Sequence, residues 1–289
     1  MRSFSFFIYL LFYLNCQMPS EQSPRSETNT KELTQEVNSP AQRQLGKTIA
    51  ERFLPPSGYE RKTFPDDSFA TYLRQLPLQP AGHLVHYFNG ETKPNYDVYA
   101  AVVDLPIGKR DLHQCADAVM RLRAEYLWKN KRYDDIHFNF TNGMQVDYSE
   151  WRKGKRMRID GNKTYWVNSR QPSDTYTSFW KYLELIFAYA GTASLAKEMQ
   201  SVALDKLQIG DVFIQGGFPG HAVIVLDVIE HISTGKRLFM LGQSYMPAQE
   251  IQVLQNPMNA SLSPWYELNS NQEIQTPEWT FYRSDLKRF

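Results

Sequence analysis

The sequence predicts an α+β protein in which helices pack on an antiparallel sheet. Two long segments with helical periodicity come first, from Asp111 to about Trp128 and from Tyr176 to Ala190. Short apolar segments, bounded by Gly and Pro, follow from Asp211 onward and are typical of strands. Because the helices precede a run of strands instead of alternating with them, the pattern favours an α+β arrangement over βαβ units.

The first elements of the folded region are a strand and a helix. A buried strand is expected from Val98 to Asp104, and Pro106 ends it. The next helix is expected to begin at Asp111, because Asp is a good N-cap and Gln114 follows three residues later, as in a capping box.

A hairpin and a second strand pair are expected between the two long helices. The Asn142-Gly143 dipeptide favours a tight turn that joins Ile136–Phe140 to Met144–Tyr148. A further pair is expected around Met157 and Tyr165, and a short helix should follow Gly191. The later strands are expected at Asp211–Ile214, Ala222–Ile229, Arg237–Leu241, Tyr266–Leu268 and Trp279–Arg283.

The N-terminal residues resemble an export signal. Residues 4–14 form an apolar run after a single positive charge, and this run is shorter than the about 20 residues of a membrane-spanning helix. Its end, Tyr13-Leu14-Asn15-Cys16, resembles a bacterial lipobox, although Tyr13 and Asn15 depart from the usual residues. We expect residues 1–16 to be a signal with lipidation at Cys16; the alternative is a cleaved signal with an incidental Cys.

Composition divides the remainder of the chain in two. Residues 17–50 are rich in Ser, Gln, Glu, Asn and Thr, with almost no aromatics, so we expect a disordered tether. Residues 51–289 are rich in aromatics and are expected to form a single α+β domain.

Charge and motifs exclude several classes of function. The 32 basic and 31 acidic residues nearly cancel, whereas nucleic-acid binding requires a basic face. The sequence has no Cys/His spacing typical of zinc sites, no Walker loop and no Gly-rich dinucleotide turn. We therefore expect no nucleic-acid partner, no cofactor and no metal.

Cys115 is the candidate nucleophile. The chain has two cysteines, so lipidation of Cys16 leaves Cys115 as the free thiol. Its place in the first turn of a helix predicts a lowered thiol pKa, because the helix dipole favours the thiolate. The alternative is a packing role, since Cys115, Ala118, Val119 and Leu122 share one helical face and free Cys is often buried.

His221 is the candidate general base. A loop, Gly217-Phe218-Pro219-Gly220, precedes it, and an apolar strand follows it, so we expect His221 at a strand start beside a pocket mouth. Gln243 ends the next predicted strand, where its amide oxygen can accept the second imidazole N–H and orient the ring.

These residues resemble the NlpC/P60-type papain-like hydrolases, most clearly from Gly210 to Val225. The resemblance implies a papain-like core in which a nucleophilic Cys opens a helix, a His begins a strand and a polar residue on the next strand orients it. On that basis Cys115, His221 and Gln243 are the expected catalytic residues.

The chain is also similar to a bacterial family of secreted lipoproteins of unknown function. This likeness rests on Gln114-Cys115-Ala116-Asp117-Ala118-Val119, Gly220-His221-Ala222-Val223-Ile224-Val225 and Gln243-Ser244-Tyr245-Met246-Pro247-Ala248-Gln249. It implies a lipid-anchored protein of the cell envelope, periplasmic or associated with the outer membrane, but no reaction.

One departure from the hydrolase pattern leaves two alternatives. The helix just before the Gly-Asp strand usually carries the nucleophile, but here that helix holds Thr177 and Ser178 and no Cys. Either residues 130–175 are an insertion and Cys115 is the nucleophile, or the thiol has been lost and Ser178 marks its position.

The function expected from these features is a thiol hydrolase or amidase that acts on cell-wall peptides, with the membrane as partner through the lipid anchor. The alternatives are an inactive NlpC/P60-like binding module for a peptidoglycan peptide and a structural envelope lipoprotein.

Overall fold

The computed structural model describes residues 46–268 and 273–289, which fold into helices packed on an antiparallel sheet. The helices are α1 (Ile49–Arg52), α2 (Phe69–Arg74), α3 (Cys115–Lys129), α4 (Tyr148–Arg152), α5 (Tyr176–Tyr189) and α6 (Thr192–Glu198). The strands are β1 (Tyr59–Glu60), β2 (Tyr99–Val102), β3 (His137–Asn139), β4 (Gln145–Asp147), β5 (Lys155–Asp160), β6 (Lys163–Asn168), β7 (Gln200–Ser201), β8 (Val212–Gln215), β9 (His221–His231), β10 (Arg237–Gln243), β11 (Gln252–Leu254), β12 (Trp265–Glu267), β13 (Glu273–Gln275), β14 (Thr280–Tyr282) and β15 (Leu286–Arg288).

The main sheet is antiparallel and is built around β9 and β10. Its strands follow the order β2-β11-β10-β9-β8-β15-β7, with β1 paired to β9 and β12 paired to β10. Every strand pair of this sheet in the described residues is antiparallel. A mixed α+β fold with an antiparallel sheet is therefore confirmed.

Strand β9 is apolar from Ala222 to Leu226 because both of its faces are covered there. Ala222, Ile224 and Leu226 belong to the larger core, which also contains the buried face of α3. The alternating residues Val223 and Val225 belong to a second core on the opposite face. An unbroken apolar run is what a strand buried on both sides requires, since successive side chains point to opposite faces.

The segment between α3 and α5 lies outside the main sheet. It forms two hairpins, β3–β4 and β5–β6, each a separate two-stranded sheet. The predicted Asn142-Gly143 turn joins the first of them, and Gly143 adopts a left-handed φ of 89°. Residues 130–175 thus separate α3 from the later helices without contributing a strand to the main sheet.

One domain boundary and several strands differ from those the sequence predicted. The tether was expected to extend to residue 50, but the Thr48 side chain caps α1 and Ile49 is fully buried, so residues 46–50 belong to the folded region. The rest of the expected tether lies outside the described residues, as do the expected signal and Cys16. Strands β1, β7, β11, β13 and β15 were not predicted.

Candidate functional site

Cys115 is the first residue of α3. The helix was expected to begin at Asp111, but its N-cap is Gln114, and Asp117 Oδ2 accepts the Gln114 backbone N–H at 3.0 Å. Asp111 lies one turn earlier, where its Oδ1 accepts the Ala248 backbone N–H at 2.7 Å. The capping carboxyl therefore comes from inside the helix, and Asp111 ties the helix start to the loop after β10.

His221 is the first residue of β9, as the sequence predicted, and the loop before it needs its glycines. Gly217 has a left-handed φ of 134°, which L side chains rarely adopt. A Cβ on Gly220 would lie 2.5 Å from Thr192 Oγ1 and 2.6 Å from the Gly217 carbonyl oxygen. The close approach of this loop to α6 positions the imidazole at the strand end, where it is buried and still lines a pocket.

Gln243 holds the imidazole from the neighbouring strand. Since β9 and β10 are antiparallel, the start of one meets the end of the other, and His221 Nε2 lies 2.8 Å from Gln243 Oε1. The Gln243 amide nitrogen donates to Glu278 Oε2 at 2.6 Å, so its oxygen must face the ring. This arrangement places the imidazole proton on Nε2 and leaves Nδ1 as the basic nitrogen.

The contacts of Gln243 continue into a buried ionic pair. Lys93 Nζ donates to Glu278 Oε2 at 2.7 Å, and the lysine is almost completely buried. Burial lowers the pKa of Lys93, while its bond to Glu278 acts in the opposite direction. Sequence reasoning missed both residues, because neither belongs to a motif and they are far apart in the chain.

An aromatic cage surrounds the His221 ring. The ring centroids of Tyr245, Trp279 and Phe281 lie 4.7, 5.3 and 5.8 Å from its own. Burial lowers the pKa of His221 to about 4; the Gln243 bond raises it and the Lys93 charge lowers it further. The imidazole is therefore uncharged at neutral pH and able to accept a proton.

Cys115 and His221 line the same pocket, which has a volume of about 510 Å³. Its walls come from the start of α3, the turn between α5 and α6, the loop before β9 and the segment after β10. Phe218, which is 97 % exposed, and Met246 present apolar side chains to solvent at this pocket. The structure thus brings the predicted nucleophile and base to one pocket, with Gln243 beside the base.

The predicted lowering of the Cys115 pKa is wrong for this structure. Burial raises the pKa of the thiol to about 11, and the Asp117 carboxyl adds to this rise. Backbone N–H groups of Ala116 and Ala222 act in the opposite direction but do not overcome it. Cys115 is only 8 % exposed, and among the described residues no hydrogen bond joins its sulfur to His221. The two groups are neutral at rest.

Ser178, the alternative nucleophile position, lies elsewhere. It is near the start of α5 and lines a separate pocket together with Trp151, Arg156 and Lys181. Its hydroxyl oxygen accepts the Trp151 indole N–H at 3.1 Å. Ser178 does not line the His221 pocket, so the structure does not bring these two residues together.

The pocket itself offers no metal site. In the two described ranges, no group of three metal-ligating side chains converges there; the group that does converge is His83, His86 and Glu250.

Most of the chain matches a known sequence family. Residues 49–288 match the family described as "Domain of unknown function (4846)", DUF4846. The chain is a member of the DUF4846 family. The match spans every described residue of the Cys115 pocket, so this pocket is part of the DUF4846 domain. Neither the curated proteins nor the solved structures contain a match to the chain.

Among the described residues of this DUF4846 member, no helix has the length and apolar character needed to span a membrane.

Proposed function

We propose that this DUF4846 protein is a thiol-dependent hydrolase or amidase with a papain-like catalytic arrangement. The observation that supports this most is the shared pocket of Cys115, at a helix N-terminus, and His221, whose ring Gln243 orients. A nucleophile, a base and a group that orients the base are the three parts that thiol acyl transfer requires.

The first half-reaction follows from the tautomer of His221. Nδ1 takes the thiol proton as Cys115 Sγ bonds to the carbonyl carbon of an amide. The same proton passes to the leaving nitrogen as the C–N bond breaks, which leaves a thioester on Cys115. Backbone N–H groups at the start of α3 stabilise the negative charge that develops on the carbonyl oxygen.

The second half-reaction regenerates the thiol. Nδ1 of His221 removes a proton from water as the water oxygen bonds to the thioester carbon. The C–S bond breaks, the acyl group leaves as a carboxylic acid, and the proton returns to Cys115. Gln243 holds the imidazolium through Nε2–H at both stages, and Glu278 holds Gln243.

The substrates that we propose are peptides of the bacterial cell wall. The NlpC/P60-like pattern and the signal-like N-terminus support this class. The pocket volume of about 510 Å³ suits a short peptide segment, and the apolar rim at Phe218 offers a contact beyond the reacting bond.

We also propose that Cys16 is lipidated and holds the domain at the envelope; loss of lipid labelling in Cys16→Ala would be the expected result.

Two observations favour a second candidate, an inactive binding module. The raised pKa of Cys115 and the absence of a hydrogen bond between the described Cys115 and His221 side chains mean that the thiol is not activated at rest. In this candidate, the same pocket holds a cell-wall peptide without cleaving it.

Turnover of purified muropeptides distinguishes the two candidates. Release of new amino groups should fall to background in Cys115→Ala, while Ser178→Ala, at the other helix start, should keep wild-type turnover. Undiminished turnover by Cys115→Ala would exclude the thiol mechanism. Binding of muropeptides without turnover by the wild type would establish the binding module.

A further inference from the structure

A second group of chemically reactive side chains lies outside the Cys115 pocket. His83 Nε2 is 3.1 Å from Glu250 Oε2, and His86 Nδ1 is 3.4 Å from the same oxygen. The three ligand atoms all lie within 4.8 Å of one another. One carboxylate oxygen, which also accepts the His86 backbone N–H at 2.9 Å, and two imidazole nitrogens therefore lie close together.

The backbone holds these residues in register. The Glu250 N–H donates to the His86 carbonyl at 3.1 Å, and Tyr87 forms an antiparallel bridge with Gln249. His86 also bridges Thr92 across a tight turn. His86 and Glu250 are thus cross-strand neighbours, and His83 reaches the same oxygen from three residues earlier.

The distances agree with those around a bound zinc ion. Ligand atoms about 2.0–2.2 Å from Zn²⁺ in a tetrahedron are about 3.3–3.6 Å apart. The two separations from Glu250 Oε2, 3.1 and 3.4 Å, are close to that range, and the two imidazole nitrogens lie within 4.8 Å of each other. The side chains of His83, His86 and Glu250 are 25, 40 and 16 % exposed, so an ion can enter and a water molecule can complete its coordination.

The charge of Glu250 supports a cation at this point. Its described ion-pair partners are His83 and His86, and no Lys or Arg of the described ranges pairs with it. The alternative to a bound cation is that the two imidazoles each donate an N–H to the Glu250 carboxylate. Two imidazoles with one carboxylate are a ligand set that favours zinc and other transition metals over Mg²⁺ or Ca²⁺.

We propose that His83, His86 and Glu250 bind one divalent transition-metal ion of the zinc type, through Nε2, Nδ1 and Oε2 respectively. The site differs from the Cys115 pocket and does not depend on the function proposed for that pocket. The ion also stabilises part of the wall of the Cys115 pocket. Glu250 directly follows Gln249, whose carbonyl accepts the Ser244 hydroxyl at 2.8 Å. Ser244 directly precedes Tyr245 and Met246, which line that pocket.

Metal binding to the purified full-length chain tests this proposal. After removal of metal with EDTA, equilibrium dialysis against Zn²⁺ should load one ion per chain, and Co²⁺ should produce visible absorption bands that Zn²⁺ removes. Saturating Zn²⁺ should raise the melting temperature by roughly 5 °C. His83→Gln and Glu250→Gln should each weaken binding by about 10–100-fold or more.

A matched control is available in a second His–Glu pair. His137 Nε2 lies 3.9 Å from Glu198 Oε1, with no third ligand in the described residues, so His137→Gln should bind zinc as the wild type does. Cys115→Ala should also retain the bound ion, which excludes the thiol as a ligand.

X-ray absorption at the zinc edge of the wild type identifies the ligands without depending on how variants fold. Two imidazoles, oxygen ligands and no sulfur would support the proposal. Absence of stoichiometric binding at micromolar Zn²⁺, or unchanged binding in both folded variants His83→Gln and Glu250→Gln, would overturn it.

Discussion

Two helix starts carry a candidate nucleophile, and of the two described pockets that they line, the Cys115 pocket is the one that contains a histidine. Cys115 opens α3 in the pocket that His221 lines. Ser178 lies in the first turn of α5, where the Thr175 side chain caps the helix and arginine and lysine side chains line the pocket. Both positions have the backbone N–H groups of a helix N-terminus. A helix start alone is therefore not sufficient to bring a nucleophile to His221; the packing of α3 against β9 decides which start lines the His221 pocket.

The largest expected effect comes from removal of the base. His221→Ala should lower turnover of a muropeptide by about 10²–10⁴-fold, because Nδ1 of His221 is the proposed acceptor of the thiol proton. The exposed His137→Gln is the control and should keep full turnover. Wild-type turnover by His221→Ala would show that His221 does not act as the base, and the difference between the two helix starts would then have no consequence for catalysis.

Loss of the orienting amide should have a smaller effect. Gln243→Ala leaves Nε2 of His221 without its acceptor, so we expect kcat to fall by about 10–100-fold with little change in KM. Gln145→Ala, on an exposed strand, should change neither value. A loss confined to KM would indicate that Gln243 contributes to substrate binding instead.

A thiol at the start of α3 should be alkylated more slowly than a thiol at the start of α5, although the start of α3 is the proposed site of catalysis. Because burial raises the pKa of Cys115 to about 11, its alkylation by iodoacetamide should be slow at neutral pH and rise about tenfold per pH unit up to about pH 10. In the double variant Cys115→Ala with Ser178→Cys, the half-buried thiol should react about tenfold faster at neutral pH.

That double variant should remain inactive, since Ser178 and His221 line different pockets. Rapid alkylation of Cys115 at neutral pH, with no dependence on pH, would show a thiolate–imidazolium pair and contradict the neutral resting state.

The smallest expected effect concerns the carboxyl beside the thiol. Asp117 raises the pKa of Cys115 after burial, so Asp117→Asn should lower that pKa and speed alkylation by about a few-fold at neutral pH. An Asn oxygen still accepts the Gln114 N–H. Asp111→Asn, the matched control at the same helix start, should leave the rate unchanged; an equal rise in both variants would remove Asp117 as the specific cause.

Local sequence patterns predicted most elements of the sheet and both long helices. The Asn142-Gly143 turn, the start of β9 at His221 and the end of β10 near Gln243 all depend on neighbouring residues, which is why the sequence reveals them. The start of α3 was placed four residues too early, because Asp111 bonds the distant Ala248 in place of the helix.

The sequence alone determined the candidates: a thiol near a helix start, a histidine at a strand start and an amide on the next strand. Tertiary structure decided the rest. It placed Cys115, and not Ser178, in the pocket that His221 lines, raised the pKa of the thiol by burial, and brought Glu278 behind Gln243. It also brought Glu250 to His83 and His86, although 164 residues separate His86 and Glu250 in the sequence. Such contacts and burial depend on packing between distant segments, and no local periodicity or spacing encodes them.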